Sequence, residues 1–440
     1  MPQENANTAS PFAKGREQDV GRRPRSAAPG SLFLRNMFAA LRHRNFRLFF
    51  GGQFVSLIGT WMQSTAQALL VYQLTGSKLL LGLVTAAGSM PLLLFSTWGG
   101  SVADRHAKRK IVLCTQSSLM LFALILAALV WTGRVHIWHI LMLATLAGCA
   151  MAFDMPARQA FMVEMTSRED LMNAISLNSS LVNGARVIGP SIAGFLMAQV
   201  GVAVCFFLNG LSYAAIIIGL CLMRLPRFVP PQQTNSAWAH AVEGFAYVWR
   251  HRRMRHILLL FAIVGMFGWS YLVLMPALAT DMLQVGEAQY GMLFSANAFG
   301  AVLGGLTVAS IGKRVRPRVL VLGGLWVFSA MVLLLAFAHN YYVALVFLAI
   351  GGWGMLLFFA TTNTLLQTSA TDEMRGRVMG VWALVFGGMT PMCGIQSGVV
   401  SQWLGVRWAL SIGAIVCAVS AFVVWRRMRQ TQAPSQPVRA

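Results

Sequence analysis

Acidic side chains are the scarcest chemistry in this chain: 13 Asp and Glu stand against 35 Lys and Arg in 440 residues. Charged residues of both signs fill 11% of positions, whereas a soluble domain carries about a quarter, so most of the chain cannot face water. Segments of about ten residues with alternating polarity are missing, which excludes an outer-membrane barrel. No Gly-x-x-x-x-Gly-Lys-Ser/Thr loop occurs, which argues against ATP-driven pumping by this chain. The 8 His lie almost entirely in loops and lack His-Glu-x-x-His spacing. Cys114, Cys149, Cys205, Cys221, Cys393 and Cys417 each sit within an apolar run, with no Cys-x-x-Cys pair and no His at ligand spacing. They read as small packed hydrophobes, so neither a metal site nor a disulfide framework is expected. With no cofactor signature and no paired acids or nucleophile with a base, an intramembrane enzyme is not expected either.

What the chain does hold is apolar sequence: 57% hydrophobic residues and a mean hydropathy of +0.62. A membrane-crossing helix needs roughly 20 apolar residues in series. Such runs occur near 46–72, 79–103, 109–132, 136–156, 174–199 and 202–223, then after a polar connection near 256–280, 288–311, 317–338, 341–366, 377–402 and 405–425. The expectation is an all-α membrane protein of twelve transmembrane helices. It divides into a basic cytoplasmic tail without apolar periodicity (1–45), a six-helix bundle (46–223), a linker (224–255), a second bundle (256–425) and a basic tail (426–440).

The net charge of +22 sits on alternate loops. With both termini in the cytoplasm, the outer loops hold only Lys78, Arg134 and Arg407. That bias orients a multi-pass protein in a bacterial inner membrane and accounts for the basicity without nucleic acid, for which no basic stripe on a soluble module exists.

The two halves are related. Arg42-His43-Arg44-Asn45-Phe46-Arg47 precedes the first span and Arg250-His251-Arg252-Arg253-Met254-Arg255 the seventh, an offset of 208. Gly189-Pro190 in the fifth span answers to Thr390-Pro391 in the eleventh, and the loop 164–173 to 372–377. Parallel six-helix repeats are a transporter architecture.

After the second span comes Gly100-Ser101-Val102-Ala103-Asp104-Arg105-His106-Ala107-Lys108-Arg109-Lys110. It resembles the signature loop of the major facilitator superfamily, Gly-x-x-x-Asp-Arg-x-Gly-Arg/Lys-Arg/Lys, with Ala107 in place of the second Gly. An acid followed by bases at a helix end can make ion pairs in one conformation that break in another, as a gate requires. The second-half copy, Gly304-Gly305 to Gly312-Lys313-Arg314, keeps glycines and bases but has no acid.

In the fifth span, Ala185-Arg186-Val187-Ile188-Gly189-Pro190-Ser191-Ile192-Ala193-Gly194 looks like the antiporter motif of the same superfamily, Gly-x-x-x-Gly-Pro-x-x-Gly-Gly, with Ala at two glycine positions. The resemblance implies exchange of substrate for protons. Arg186 is the only charge near the middle of any of these spans, a functional position by default: it can meet an anionic substrate or pair with an acid. Asp154, before Met155-Pro156-Ala157-Arg158 at the end of the fourth span, strengthens a resemblance over 45–425 to the enterobactin exporter and macrolide efflux branch. That resemblance implies an Asp154–Arg105 ion pair at the cytoplasmic gate with Arg158 near Asp104, and makes Asp154 a candidate proton-coupling carboxylate.

The first span carries Gln53, Ser56, Thr60, Gln63 and Gln67 at spacings of three and four, which places them on one helix face. Lipid cannot satisfy that face, and five polar residues exceed the needs of a packing seam, so it is expected to line a cavity. Trp269, Tyr271, Thr361, Asn363, Thr364 and Gln367 can face the same space. Such a lining suits a neutral or anionic amphiphile. In the linker, Ala237–Arg255 reads as an amphipathic helix with Trp238, Val242, Phe245 and Trp249 towards the bilayer and its bases among lipid head groups. The function expected is a monomeric secondary exporter of a siderophore or drug-like molecule, coupled to protons. An importer or a membrane sensor are the alternatives.

Overall fold

The computed structural model describes residues 39–167, 169–225, 237–312 and 314–430. Most of the N-terminal tail, the first part of the linker and residues 431–440 lie outside the described residues. After a short 3-10 turn at Ala39–Arg42 come α1 (Arg44–Thr75), α2 (Lys78–Arg105), α3 (Lys108–Trp131), α4 (Ile137–Met165), α5 (Leu171–Val200) and α6 (Val202–Cys221). The linker contributes α7 (Ala237–Arg250). Then follow α8, built in pieces (Arg252–Gly268, Ser270–Val273, Met275–Ala277 and a π turn at Leu278–Met282), α9 (Glu287–Ile311), α10 (Pro317–Leu335), α11 (Tyr341–Ser369), α12 (Asp372–Leu404) and α13 (Val406–Gln430).

Among the described residues, eleven helices are long and apolar enough to cross a membrane. The twelfth expected span is α1, a 32-residue helix whose hydropathy is lowered by its glutamines. Joints between helices carry recognisable stops. The Ser77 side chain accepts the N–H of Leu80 at the start of α2, and Asn340 accepts those of Tyr342 and Val343 at the start of α11. Gly201 and Gly405 both have φ +86°, each between the fifth and sixth helices of its half, so the same left-handed turn recurs where only glycine adopts it without strain.

The packing repeats as well. In the first bundle α2 packs on α4, α3 on α4 and α6, and α1 on α5 and α6; in the second, α9 packs on α11, α10 on α11 and α13, and α8 on α12 and α13. Each contact in one bundle has its counterpart in the other. The bundles meet mainly through two helix pairs, α2 with α12 and α5 with α9, which the repeat exchanges with each other.

Two spans differ from the sequence reading. The fourth does not close near Pro156: α4 runs on to Met165. Pro156 removes only one backbone donor, and the Ala152 carbonyl thereby released lies where a Cβ on Gly99 of α2 would have to sit. Asp154 and Arg158 are therefore both inside a spanning helix, so Arg186 is not alone in being charged there. The seventh span is broken, because Pro276 cannot donate to the Leu272 carbonyl and the chain turns at Leu274 before the π turn.

Candidate substrate site and gates

The loops rich in Lys and Arg share one end of the bundle, the basic face, and the α1–α2, α3–α4, α5–α6, α8–α9, α10–α11 and α12–α13 joints share the opposite face. At the opposite face the halves are locked together. Lys78 Nζ pairs with Asp281 Oδ2 at 3.1 Å, and the Tyr72 hydroxyl donates to the same carboxylate at 2.7 Å. Gln73 donates to Glu287 at 2.9 Å, the Tyr290 hydroxyl to the Thr65 carbonyl at 3.1 Å, and the backbone N–H of Lys78 to Gln402 at 3.2 Å. Deeper in, Ser191 donates to Ser295, which donates to the Val187 carbonyl, both at 2.7 Å. Among the described residues, all hydrogen bonds and the ion pair joining the two bundles directly lie on this side. On the basic face the tie runs through the linker: Glu243 of α7 pairs with Arg377 of α12, and Gly244 packs on the Arg377 backbone.

Of the antiporter-like residues, Gly189 packs within the first bundle, while Pro190 and Gly194 build this seal. A Cβ on Gly189 would sit 2.7 Å from the Trp61 Cβ of α1; one on Gly194 would sit 2.8 Å from the Glu287 carbonyl of α9; and the Pro190 carbonyl blocks any Cβ on Gly291. Across the other pair, a Cβ on Gly394 would lie 2.6 Å from the Gly82 carbonyl. Small residues let the backbones touch, and dispersion between them provides most of the hold, since a partly exposed ion pair such as Lys78–Asp281 contributes only about 0.2–1 kcal/mol.

Arg186 stands midway along α5. Its guanidinium lies over the Trp61 ring, 5.4 Å from the centroid, and within electrostatic reach of Tyr271 of α8 in the other half. Among the described residues no carboxylate pairs with it. A cation–π contact contributes roughly 0.5–2 kcal/mol, less than an intramembrane guanidinium costs, so this charge remains undercompensated. Pro190, four residues on, leaves the Arg186 carbonyl without its helical donor. Tyr271 accepts from Asn297 at 2.9 Å. Trp269, two residues earlier, stacks on Phe359 with centroids 5.2 Å apart and meets Phe386 edge-on at 5.3 Å; Phe261 and Trp382 complete a five-ring cluster on α8, α11 and α12. Phe386 is exposed and Trp269 and Phe359 half-buried. Sequence reasoning singled out Trp269 alone of these five, because rings brought together from three helices have no signature along the chain.

The polar stripe of α1 serves packing more than a cavity. Gln63 accepts from Asn209 of α6 at 2.6 Å, Thr60 meets the Tyr213 hydroxyl at 3.4 Å, and a Cβ on Gly59 would lie 2.6 Å from Asn209 Oδ1. Gln53 and Ser56 are buried, and Gln53 Oε1 has no partner. The sequence could not reveal that α6 carries matching amides and hydroxyls, which turn the stripe into a polar seam. Gln67 is half-buried. Asn363 and Gln367 bond each other at 2.7 Å on α11, and Thr361 Oγ1 is buried without a partner.

The expected Asp154–Arg105 and Arg158–Asp104 pairs are not formed. Asp154, 1% exposed, pairs with Arg158 one turn along its own helix and accepts from Thr115 at 2.7 Å and Gln116 at 2.9 Å. A partner at i+4 on a rigid helix needs no ordering of a loop. Asp104 and Arg105 end α2 in exposed positions, and Gly100 has open space where a Cβ would stand. Removing one partner of a buried pair leaves the other uncompensated, at about 3–5 kcal/mol. Asp154→Ala is accordingly expected to destabilise the first bundle by about 3 kcal/mol, read as a lower thermal unfolding midpoint in detergent; an unchanged midpoint would mean that Arg158 finds other compensation.

Residues 35–439 match the family model described as transmembrane secretion effector. The chain is 25% identical to the staphyloferrin A transporter of Staphylococcus aureus over 86% of its length and 95% of the relative's. It is 28% identical to the enterobactin exporter of Escherichia coli over 91% of its length and 97% of the relative's. In solved structures, the nucleoside transporter NupG superposes with a TM-score of 0.71 at 13% identity, covering 90% of this chain and 100% of that one. A POT family transporter superposes with a TM-score of 0.72 at 13% identity, covering 89% and 97%.

Proposed function

As this chain belongs to the transmembrane secretion effector family of the major facilitator superfamily, we propose that it exports an anionic, siderophore-like small molecule across the bacterial inner membrane in exchange for protons. The observation that carries this reading is Arg186, a guanidinium midway along α5 with no carboxylate partner among the described residues, over the Trp61 ring and within electrostatic reach of Tyr271. A carboxylate or catecholate of the substrate would supply the missing negative charge, and the ring cluster around Trp269 would take its apolar part. Relatives named for staphyloferrin A and enterobactin agree with such a substrate.

With the basic face cytoplasmic, the state described is closed to the outside. Transport by alternating access then requires the α2–α12 and α5–α9 seams to part on the outer side while the basic face closes. Asp104 and Arg105, exposed here, would find their partners in that second state, as a gate that holds only one conformation must. Asp154 would couple protons from its buried site by exchanging its bond to Arg158 for a proton in one state and remaking it in the other.

The test is a proton gradient across everted vesicles, with its dissipation recorded on adding citrate-type and catecholate siderophores, macrolides and lipophilic dyes. Siderophore-induced proton release is expected, and its loss in Asp154→Asn at an equal amount of folded protein would tie that carboxylate to coupling. Absence of any response with folded protein would remove the antiport reading. In the same assay Arg105→Ala is expected to lose about 90% of its transport with unchanged membrane level and unfolding midpoint, since its side chain is solvated in the state described; wild-type transport would exclude Arg105 from the gate.

A further inference from the structure

The repeated hexapeptides end in unlike surroundings. In the first half, His43 is the N-cap residue of α1, and its Nε2 bonds Asp170, the N-cap residue of α5, at 2.8 Å. In the second half His251 is the N-cap residue of α8, but the N-cap position of α12 is Thr371. The carboxylate that receives the first histidine has no counterpart there. Asp372 is committed to Arg375 at 2.6 Å.

Beside His251 there is a cavity of about 300 Å³, lined by His251, Arg252, Arg253, Met254, Thr368 and Ser369. His251 Nδ1 faces the Tyr247 carbonyl at 2.8 Å, which directs Nε2 away from it. Arg252 and Arg253 are exposed and make no ion pair among the described residues. The first N–H groups of α8 have no helical acceptor, and no side chain caps them. Thr368 and Ser369 add two hydroxyls at the end of α11, now donating back to carbonyls of their own helix. The cavity opens at the basic face. Beside it α7 exposes Val242 and the stacked pair Phe245 and Trp249, with Arg255 over the Trp249 ring at 5.7 Å. The Trp238 side chain lies outside the described residues.

We propose that this cavity binds a phosphate group, that of an anionic membrane phospholipid, beside His251, whose counterpart His43 meets Asp170 in the first half. Two guanidinium groups and unpaired helix N–H groups are the donors a phosphate takes. The exposed apolar face of α7 supplies a surface for the acyl chains. Because α7 is also the tie between Glu243 and Arg377, the lipid would fasten the linker to the second bundle.

The experiment titrates the purified full-length protein, in a neutral detergent, with phosphatidylglycerol, phosphatidylcholine or inorganic phosphate and reads thermal unfolding, which rises as a ligand binds the folded state. Phosphatidylglycerol is expected to raise the midpoint, with an apparent Kd at least tenfold weaker in the double variant Arg252→Gln/Arg253→Gln and unchanged in Arg318→Gln, an exposed base elsewhere on the same face. Should the double variant fail to fold, Thr371→Asp places a carboxylate at the position Asp170 holds and is expected to weaken the lipid equally. Stabilisation by inorganic phosphate that matches the lipid would assign the same site to a soluble phosphate. Equal affinity in all variants, equal loss in Arg318→Gln, or no preference for phosphatidylglycerol over phosphatidylcholine together with no effect of phosphate would overturn the site.

Discussion

Arg186→Gln is expected to lower export by about ten- to a hundredfold while leaving the protein at least as stable as the wild type. The two effects have opposite signs for one reason. A guanidinium without a counter-ion in the membrane interior raises the energy of the folded protein, and among the described residues the Trp61 ring and Tyr271 compensate it only in part. Glutamine fills similar space without the charge, so folding loses little. A bound anion loses a charge-assisted contact of about 1.5–3 kcal/mol, which corresponds to that range of affinity. Arg186→Lys should fall between the two, since an ammonium keeps the charge but not the planar fork. The measurement pairs substrate efflux with the unfolding midpoint. A structural arginine would show the reverse pattern, with the midpoint falling and transport following the amount of folded protein, and that outcome would remove Arg186 from the substrate site.

The second large effect concerns the outer seal. Gly82→Val is expected to hold the transporter open on the outer side and to stop turnover, because the Gly394 backbone occupies the space of any Cβ at residue 82. Overpacking costs about 1–3 kcal/mol where a core must absorb it. Here the two bundles can part instead, and a shift of that size moves a two-state equilibrium roughly five- to a hundredfold. Gly291→Val on the other seam should act alike, and the two together more strongly, being on separate helix pairs. Gly300→Val is the contrast: its side chain would run into Ala349 within the second bundle, where no hinge relieves the clash, so loss of folded protein is expected. A cysteine at Ser295, buried in the α5–α9 seam, reports the difference in a background stripped of native cysteines. Labelling by an impermeant maleimide from outside should rise in Gly82→Val. Unchanged labelling with full transport would mean that the seam does not open during the cycle.

These glycines also mark where sequence reading ended. Gly82, Gly194, Gly291 and Gly394 look alike along the chain, yet each is placed between bundles, while Gly99, Gly300 and Gly352 lie within one. The antiporter-like stretch was legible as a patch of small residues. That it faces two ways, Gly189 onto α1 and Gly194 onto α9, follows only from the assembled bundle.

Helix number, the duplication and the basic face were written in the chain itself, because they depend on local hydropathy and on charges at helix ends, which act residue by residue. The repeated His43 and His251 hexapeptides placed the halves in register before any contact was known. Partner choice was decided by the tertiary structure. Asp154 took Arg158 instead of Arg105 because α4 continues through Pro156, and a pair on one rigid helix forms without ordering a loop. The glutamine stripe of α1 became a seam because Asn209 and Tyr213 of α6 come opposite it. A buried polar group must be bonded, so the sequence requires that such residues find partners, but which partner lies within reach is a property of how the helices meet.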